Sequence, residues 1–444
     1  MKFGTDGLRG RADSELTPDV AYALGVAAAD TLGTVEYLIG VDGRESGPAL
    51  ASALAYGLEH GGATVRLVGL VPTPGLAVIA AQRGVAAAMI SASHNPYFDN
   101  GIKLFAPGGR KLSDDVQNRV QAALDHHRAL GLVLPAGAQH PVDPLDHVTA
   151  VSEYEAALLA SLEPQALAGL RVVLDCANGA ASELAAAVYE SAGAEVVEVV
   201  HNTPDGRNIN AGCGSTHPAD LQALVVRHGA DVGLAFDGDA DRVQAVDSSG
   251  RLIDGDHLIA LMALGLHSRG ELRGGAVVVT VMSNLGFHLA MRAANIEVVE
   301  TPVGDRYVLD ALEQRNLMLG GEQSGHLIFR DLAPTGDGLL AGLQVLAEVN
   351  RAGRDLGAVA DAAMTRLPQV LLNVEVSSPG RLAQAQAIWD AAGVVERELA
   401  GQGRVLLRPS GTEPLVRVMV EAPSALDAQR HAEHLAAVVR EALA

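Results

Sequence analysis

Three carboxylates spaced two apart, in Phe236-Asp237-Gly238-Asp239-Ala240-Asp241-Arg242, are the densest chemistry in the chain. They follow the apolar run Val232-Gly233-Leu234-Ala235, so they leave a strand end together. Like charges this close repel unless a cation holds them, and hard oxygen ligands select Mg²⁺ or Ca²⁺ over zinc. A calcium loop is excluded, because its sixth position would be Arg242 instead of Gly and its twelfth Ser248 instead of Glu. Magnesium is the favoured ion, and a solvated acidic turn is the alternative. Magnesium commonly completes its shell with phosphate oxygens, which predicts a phosphorylated group nearby.

Three further stretches could serve such a centre. Ile90-Ser91-Ala92-Ser93-His94-Asn95-Pro96 follows the apolar run Val85-Ala86-Ala87-Ala88-Met89 and precedes Asp99-Asn100-Gly101-Ile102-Lys103. It carries two hydroxyls into a turn forced by Asn95-Pro96; taken alone, an ordinary turn is the commoner reading. Leu319-Gly320-Gly321-Glu322-Gln323-Ser324-Gly325-His326 opens into an apolar strand, Leu327-Ile328-Phe329. Its Glu322 could accept from two vicinal hydroxyls of a sugar, or be merely solvated in a tight turn. Arg408-Pro409-Ser410-Gly411-Thr412-Glu413-Pro414, with Arg417 beyond, offers guanidinium forks and hydroxyls suited to a phosphate dianion. A turn with one exposed Arg is the plainer reading there. Neither a Walker lysine motif nor a G-x-G-x-x-G helix opening occurs; Asp175-Cys176-Ala177-Asn178-Gly179 comes nearest and lacks the glycine spacing.

The elements that must position these loops recur. Tyr37–Asp42, a helix up to Glu59, the strand Thr64–Val68 and then Thr73-Pro74 form one strand-helix-strand unit. Arg171–Asp175, a helix through Tyr189, Gly193–Val197 and Thr203-Pro204 form a second. Ala276–Thr280, a helix through Arg292, Ile296–Val299 and Thr301-Pro302 form a third. Uninterrupted β-branched strands between helices mean parallel pairing covered on both faces. After Arg366 the order changes to strand, helix around Trp389, two strands and a closing helix. The fold class expected is α/β: three similar mixed or parallel-sheet α/β domains plus a smaller C-terminal α+β domain, arranged around a central active-site cleft. Boundaries fall at 1–147, 148–248, 249–365 and 366–444. The N-terminal segment with Thr5, Asp6, Arg9 and Arg11 reads as a charged loop, and a helix follows from Thr17-Pro18 toward Leu32.

A chain of 444 residues needs more than one core. A net charge of −21 argues against nucleic acid or anionic membrane as a partner, so an anionic substrate must meet a local basic pocket. Cys176 and Cys213 lack a C-x-x-C spacing, and no apolar signal core or membrane span appears, which fits a reducing cytoplasm.

Together the four motifs, Ser91–Pro96, Asp237–Arg242, Gly321–His326 and Arg408–Pro414, resemble the α-D-phosphohexomutase family, one motif per quarter in family order. Lys2-Phe3-Gly4-Thr5-Asp6-Gly7-Leu8-Arg9-Gly10 and Gln323 are similar to its branch acting on glucosamine phosphates. The resemblance implies a phosphoserine at Ser93, with Mg²⁺ held by Asp237, Asp239, Asp241 and a phosphoserine oxygen. It implies isomerisation of glucosamine 6-phosphate to glucosamine 1-phosphate through a hexosamine 1,6-bisphosphate. Arg242 would offset phosphoryl charge. Lys103, with Arg9 and His326 nearby, is the candidate for proton transfer, as a lysine in a cationic site; His94 could contact the phosphoserine. Glu322 and Ser324 would hold sugar hydroxyls, with Gly304, Asp305 and Arg306 also on the substrate. Arg408, Ser410, Gly411, Thr412 and Arg417 would grip the unreacting phosphate. The implied partner is a small sugar phosphate, and a homodimer is one assembly open to the chain. A phosphomannomutase/phosphoglucomutase of the same family, a magnesium-dependent sugar phosphatase and a non-catalytic sugar-phosphate binder remain as alternatives.

Overall fold

A computed structural model describes residues 2–4, 7–33, 36–138, 140, 142–410 and 414–443. The chain divides into two compact units: Met1–Met282 with Ile296–Asp361, and Ser283–Asn295 with Ala362–Ala444.

The first unit carries three sheets built on one plan. In the first sheet Glu36–Val41 lies between Thr64–Leu70 and Ala86–Ile90, parallel to both, and Asp99–Ala106 then pairs antiparallel to Ala86–Ile90. The second repeats this with Arg171–Asp175 between Glu195–Val200 and Val232–Phe236, followed by antiparallel Val243–Asp247. In the third, Ala276–Thr280 lies between Glu297–Thr301 and Leu319–Gly321, followed by antiparallel Leu327–Phe329. Every residue of Ala86–Ile90, Val232–Phe236 and Ala276–Thr280 is buried, which is why these segments read as unbroken apolar runs.

The plan fixes where the chemistry goes. In each copy the third strand is parallel and the fourth runs back, so the chain must reverse at the carboxyl end of the third strand, where α/β sheets place their ligands. Those three reversals are residues 91–98, 237–242 and 322–326, the serine, acidic and Glu-Ser-His stretches.

One sequence expectation changes. Gly7–Arg11 is a strand and not a charged loop: it pairs with Phe3–Gly4 on one side and with Asp99–Ala106 on the other. Backbone pairing needs no apolar alternation, and the one apolar side chain, Leu8, is fully buried. The segment after the serine loop, from Asp99, is strand, which places Lys103 in the first sheet.

The second unit has a three-stranded antiparallel sheet in the order Gln369–Glu375, Leu415–Glu421, Arg404–Pro409. The helices Gln386–Leu399 and Ala425–Ala442 bury Ile388, Val395, Leu435 and Val439 in a core with Val416, Val418 and Val420 of the sheet. The helix Leu285–Ala293 belongs here too, although the chain places it between two strands of the third sheet. Glu421 accepts from Leu285 N at 2.8 Å, and Asn284 Oδ1 accepts from Leu367 N at 2.9 Å. Among the described residues no helix is long and apolar enough to cross a membrane.

Candidate active site

The serine, acidic and Glu-Ser-His reversals meet inside the first unit. Ser93 Oγ donates to Asp237 Oδ2 at 2.7 Å, and both residues are buried. Gly238 must be glycine, because a Cβ there would lie 2.7 Å from both the Ser93 carbonyl and Asn210 Nδ2. Lys103 donates to Asp239 Oδ2 at 2.7 Å and lies 3.5 Å from Asp241 Oδ2. The acidic and Glu-Ser-His loops are stitched by Val243 N to Gly325 O at 3.0 Å and by Gln244 Nε2 to Gln323 O at 3.2 Å.

The turns are strained where the chemistry lies. Ser93 and Ala240 have φ of 54° and 56°, a left-handed conformation that costs a residue with a side chain about 1–3 kcal/mol. Surrounding hydrogen bonds hold both. Ser93 N donates to Ser91 Oγ at 2.8 Å, and Ala240 O accepts from Gly338 N at 2.9 Å.

Asp237, Asp239 and Asp241 are all buried, with carboxylate oxygens within 4.8 Å of one another. Burial, then the charges of Asp241 and Asp239, push the Asp237 carboxyl above its usual range. Burial also disfavours the Asp241 anion, but Lys103 and His326 outweigh it and hold that carboxyl well below its usual range. Asp239 Oδ1 and Asp241 Oδ1 are buried without a hydrogen-bond partner among the described residues. Crowded carboxylates with oxygens left over are a donor set that fits a divalent cation.

The two histidines are driven apart. Burial, then Arg242 and Arg9, press His94 down to about 4. Its Nδ1 lies 3.0 Å from Arg242 Nη1 and 3.3 Å from Ser93 Oγ. Burial opposes a charge on His326, yet Asp241 and Asp305 overcome it and push the ring up to about 8. His326 Nδ1 is 3.7 Å from Asp241 Oδ1, and Nε2 is 3.5 Å from Asp305 Oδ2. The two rings are thus shifted in opposite directions, His94 beside the serine away from its cation and His326 beside the carboxylates toward it.

Other residues anticipated from sequence fall as follows. Arg9 pairs in register with Gly101 and contributes to the field at His94. Lys103 has two carboxylates as neighbours, where the sequence suggested cationic surroundings. Glu322 Oε1 accepts from Gly304 N at 3.0 Å, and the Ser324 hydroxyl is buried without a partner among the described residues. Asp305 pairs with Lys111 as well as His326, and Arg306 pairs with Asp114. In the second unit Arg408 and Arg417 face each other across paired strands, and burial with the Arg417 charge presses the Arg408 guanidinium down. Ser410 N donates to Leu415 O at 2.9 Å, and Gly411 and Thr412 lie outside the described residues.

Sequence reasoning missed three contributors. Thr73, noted there only as part of a repeat, donates its hydroxyl to Asp239 Oδ2 at 2.5 Å and its N–H to Asp239 O at 3.0 Å. Arg44 and Asn210 bind the backbone of the serine loop. The Asp42-Gly43-Arg44 turn at a strand end was a legible polar signal; Asn210 had none.

Four models of the family Phosphoglucomutase/phosphomannomutase match in order: alpha/beta/alpha domain I over residues 1–130, II over 146–250, III over 254–367, and the C-terminal domain over 371–438. A phosphoglucosamine mutase of Salinispora arenicola is 47% identical over 447 residues, covering 99% of this chain and 98% of the relative. One of Rhodococcus erythropolis is 49% identical, covering 98% of each. Among solved structures, a phosphoglucomutase/phosphomannomutase family protein of Burkholderia thailandensis aligns with a TM-score of 0.78 at 24% identity, covering 99% of this chain and 97% of that one. An Aspergillus fumigatus N-acetylphosphoglucosamine mutase, in complex with GlcNAc-6P and magnesium, aligns at 0.72 and 19%, covering 100% and 96%; both likenesses speak to the fold. Near-half identity along the whole length, with a matching model for each of the four sheets, makes this chain a member of the phosphoglucomutase/phosphomannomutase family.

Proposed function

We propose that the chain is a phosphoglucosamine mutase, an isomerase that interconverts glucosamine 6-phosphate and glucosamine 1-phosphate. The observation that carries this reading is a buried serine hydroxyl 2.7 Å from one of three clustered carboxylates, in a chain whose full-length relatives bear that name. Ser93 is the phosphoryl carrier. Asp237, Asp239, Asp241 and a phosphoserine oxygen would hold Mg²⁺, which when bound offsets charge on the transferring phosphoryl group.

In the forward direction the bond from phosphorus to Ser93 Oγ breaks and one to the sugar O1 forms, while the proton lost from O1 is balanced by one gained at Ser93 Oγ; Lys103, beside Asp239 and Asp241, would supply positive charge to that exchange. The resulting 1,6-bisphosphate turns over, and its O6 phosphate returns to Ser93, leaving glucosamine 1-phosphate. Arg242, 3.0 Å from His94, places positive charge beside the serine. Glu322 and the unpartnered Ser324 hydroxyl receive sugar hydroxyls, with Gly304, Asp305 and Arg306 beside them. Arg408, Ser410, Gly411, Thr412 and Arg417 grip the phosphate that is not reacting, since paired guanidinium groups favour a dianion between them. A small sugar phosphate as partner and a cytoplasmic setting belong to the same reading.

The test is a coupled assay on glucosamine, glucose and mannose 6-phosphates with phosphopeptide mapping of the purified chain. Highest kcat/KM on glucosamine 6-phosphate and phosphate on Ser93 are expected. A preference for glucose or mannose would sink the substrate assignment. Steady release of inorganic phosphate, unaffected by added bisphosphate, would indicate a phosphatase instead.

A further inference from the structure

Arg44 lies beneath the serine loop with its side chain fully buried, ion-paired through Nε to Asp42 Oδ2 at 2.9 Å. Its remaining N–H groups fan onto the loop's backbone. Nη2 donates to the carbonyls of Ser93 at 2.8 Å and Asn95 at 2.9 Å, and Nη1 to those of Pro96 and of Asp99 at 3.0 Å. A guanidinium has five donors in a rigid plane, and here each has an acceptor. Asn210, from the second sheet's connections, adds Nδ2 to the Ser93 carbonyl at 2.9 Å and to Asn95 O at 3.2 Å.

These contacts answer a specific need. Ser93 holds a left-handed backbone, which glycine would adopt without strain but which a nucleophile must adopt with its side chain in place. The Ser93 carbonyl is buried, where water cannot satisfy it, and the carbonyls of Asn95, Pro96 and Asp99 are gathered onto the same guanidinium. A lysine could supply the charge but not four divergent donors in one plane.

We propose that Arg44 is a positioning residue that fixes Ser93 in its left-handed conformation and so aims its oxygen for phosphoryl transfer, with Asn210 as the second donor to the same carbonyl. This rests on the reading of Ser93 as phosphoryl carrier. It reaches beyond that reading in predicting that turnover depends on a residue whose guanidinium bonds go to backbone carbonyls and Asp42.

The experiment compares Arg44→Lys and Asn210→Ala with the wild-type full chain. Measured are kcat and KM for the sugar phosphate, single-turnover transfer from a hexose 1,6-bisphosphate to dephosphorylated Ser93, and the ³¹P resonance of phospho-Ser93. Arg44→Lys is expected to lower kcat and the single-turnover rate about 100-fold, the size of an ångström-scale misplacement, with KM within about threefold. Asn210→Ala, which leaves Arg44 in place and guards against a misfolded first variant, is expected to lower both about tenfold. The ³¹P line should shift or broaden in each. Folded variants that match wild-type kcat, or whose ³¹P line is unchanged, would overturn the inference while leaving the mutase reading intact. A wild-type chain that neither carries phosphate on Ser93 nor turns over would overturn both.

Discussion

Replacing Thr73 with valine should weaken metal binding without moving the loop that binds it. Two donors fix Asp239 Oδ2, Thr73 Oγ1 at 2.5 Å and Lys103 Nζ at 2.7 Å, while Oδ1 is left without a hydrogen-bond partner among the described residues. That division keeps one oxygen occupied and leaves the other available to a cation. Valine preserves the shape and the backbone bond from residue 73 to Asp239 O, and deletes only the hydroxyl. A hydrogen bond to an ionised group contributes about 1.5–3 kcal/mol, and ~1.4 kcal/mol is tenfold in affinity. The Mg²⁺ concentration for half-maximal turnover should therefore rise about 10–100-fold, in line with what the loss of a partner behind a metal ligand costs. Mn²⁺ binding followed by electron paramagnetic resonance, without substrate, should show the same shift, and Thr73→Ser should restore most of the affinity. A folded valine variant with wild-type Mn²⁺ affinity would refute the reasoning.

Ser93→Ala should remove turnover, by on the order of 10⁴-fold or more, while sugar-phosphate binding measured by calorimetry survives; retained mutase activity would refute the carrier assignment. Arg417→Ala should raise KM about 10–100-fold through one lost charge-assisted contact, and an unchanged KM would remove Arg417 from the phosphate grip. Asp337 gives a pH dependence of stability. Burial pushes its carboxyl up from 3.8 to about 6, against the bonds it accepts from Leu340 N and Tyr154 Oη. A folded pKa raised above the unfolded one means stability is full below about pH 4 and falls as pH rises through about 6, by on the order of 3 kcal/mol. The amide introduced by Asp337→Asn would keep an acceptor and lose that slope, so the Tm difference between this variant and wild type should widen from pH 4 to 6; parallel curves would exclude the effect.

Where burial is two-sided, the sequence was readable. Ala276–Thr280 was placed to the residue, because a parallel strand covered on both faces can only be an unbroken apolar run. Gly7–Arg11 was not, because its pairing is made by backbone groups and its side chains carry one apolar residue in five. The acidic triad and Ser93 announce themselves by residue type at fixed spacing. Thr73 and Asn210 do not, since their partners lie 166 and 117 residues away and no local pattern marks such a contact; Arg44 stands in a polar turn at a strand end, but nothing local shows that it reaches a loop 49 residues on. Lys103 shows the converse: its type was legible, but its neighbours were set by which strand it lies on.

The triple repeat explains why such distant pieces converge. Each copy must reverse its chain after the third strand, and each has spent that reversal differently: on a hydroxyl, on three carboxylates, on a Glu-Ser-His turn. Because all three lie at the carboxyl ends of like strands, one compact unit brings them to a common place without any local sequence relation between them. Electrostatics then makes the place demanding. Lys103 and His326 between them suppress Asp241, yet burial first, and then the charges of its two fellow carboxylates, still drive Asp237 upward, so the cluster keeps anionic charge in a buried place. A phosphorylated serine would add negative charge beside these carboxylates, and a divalent cation among their oxygens would offset it.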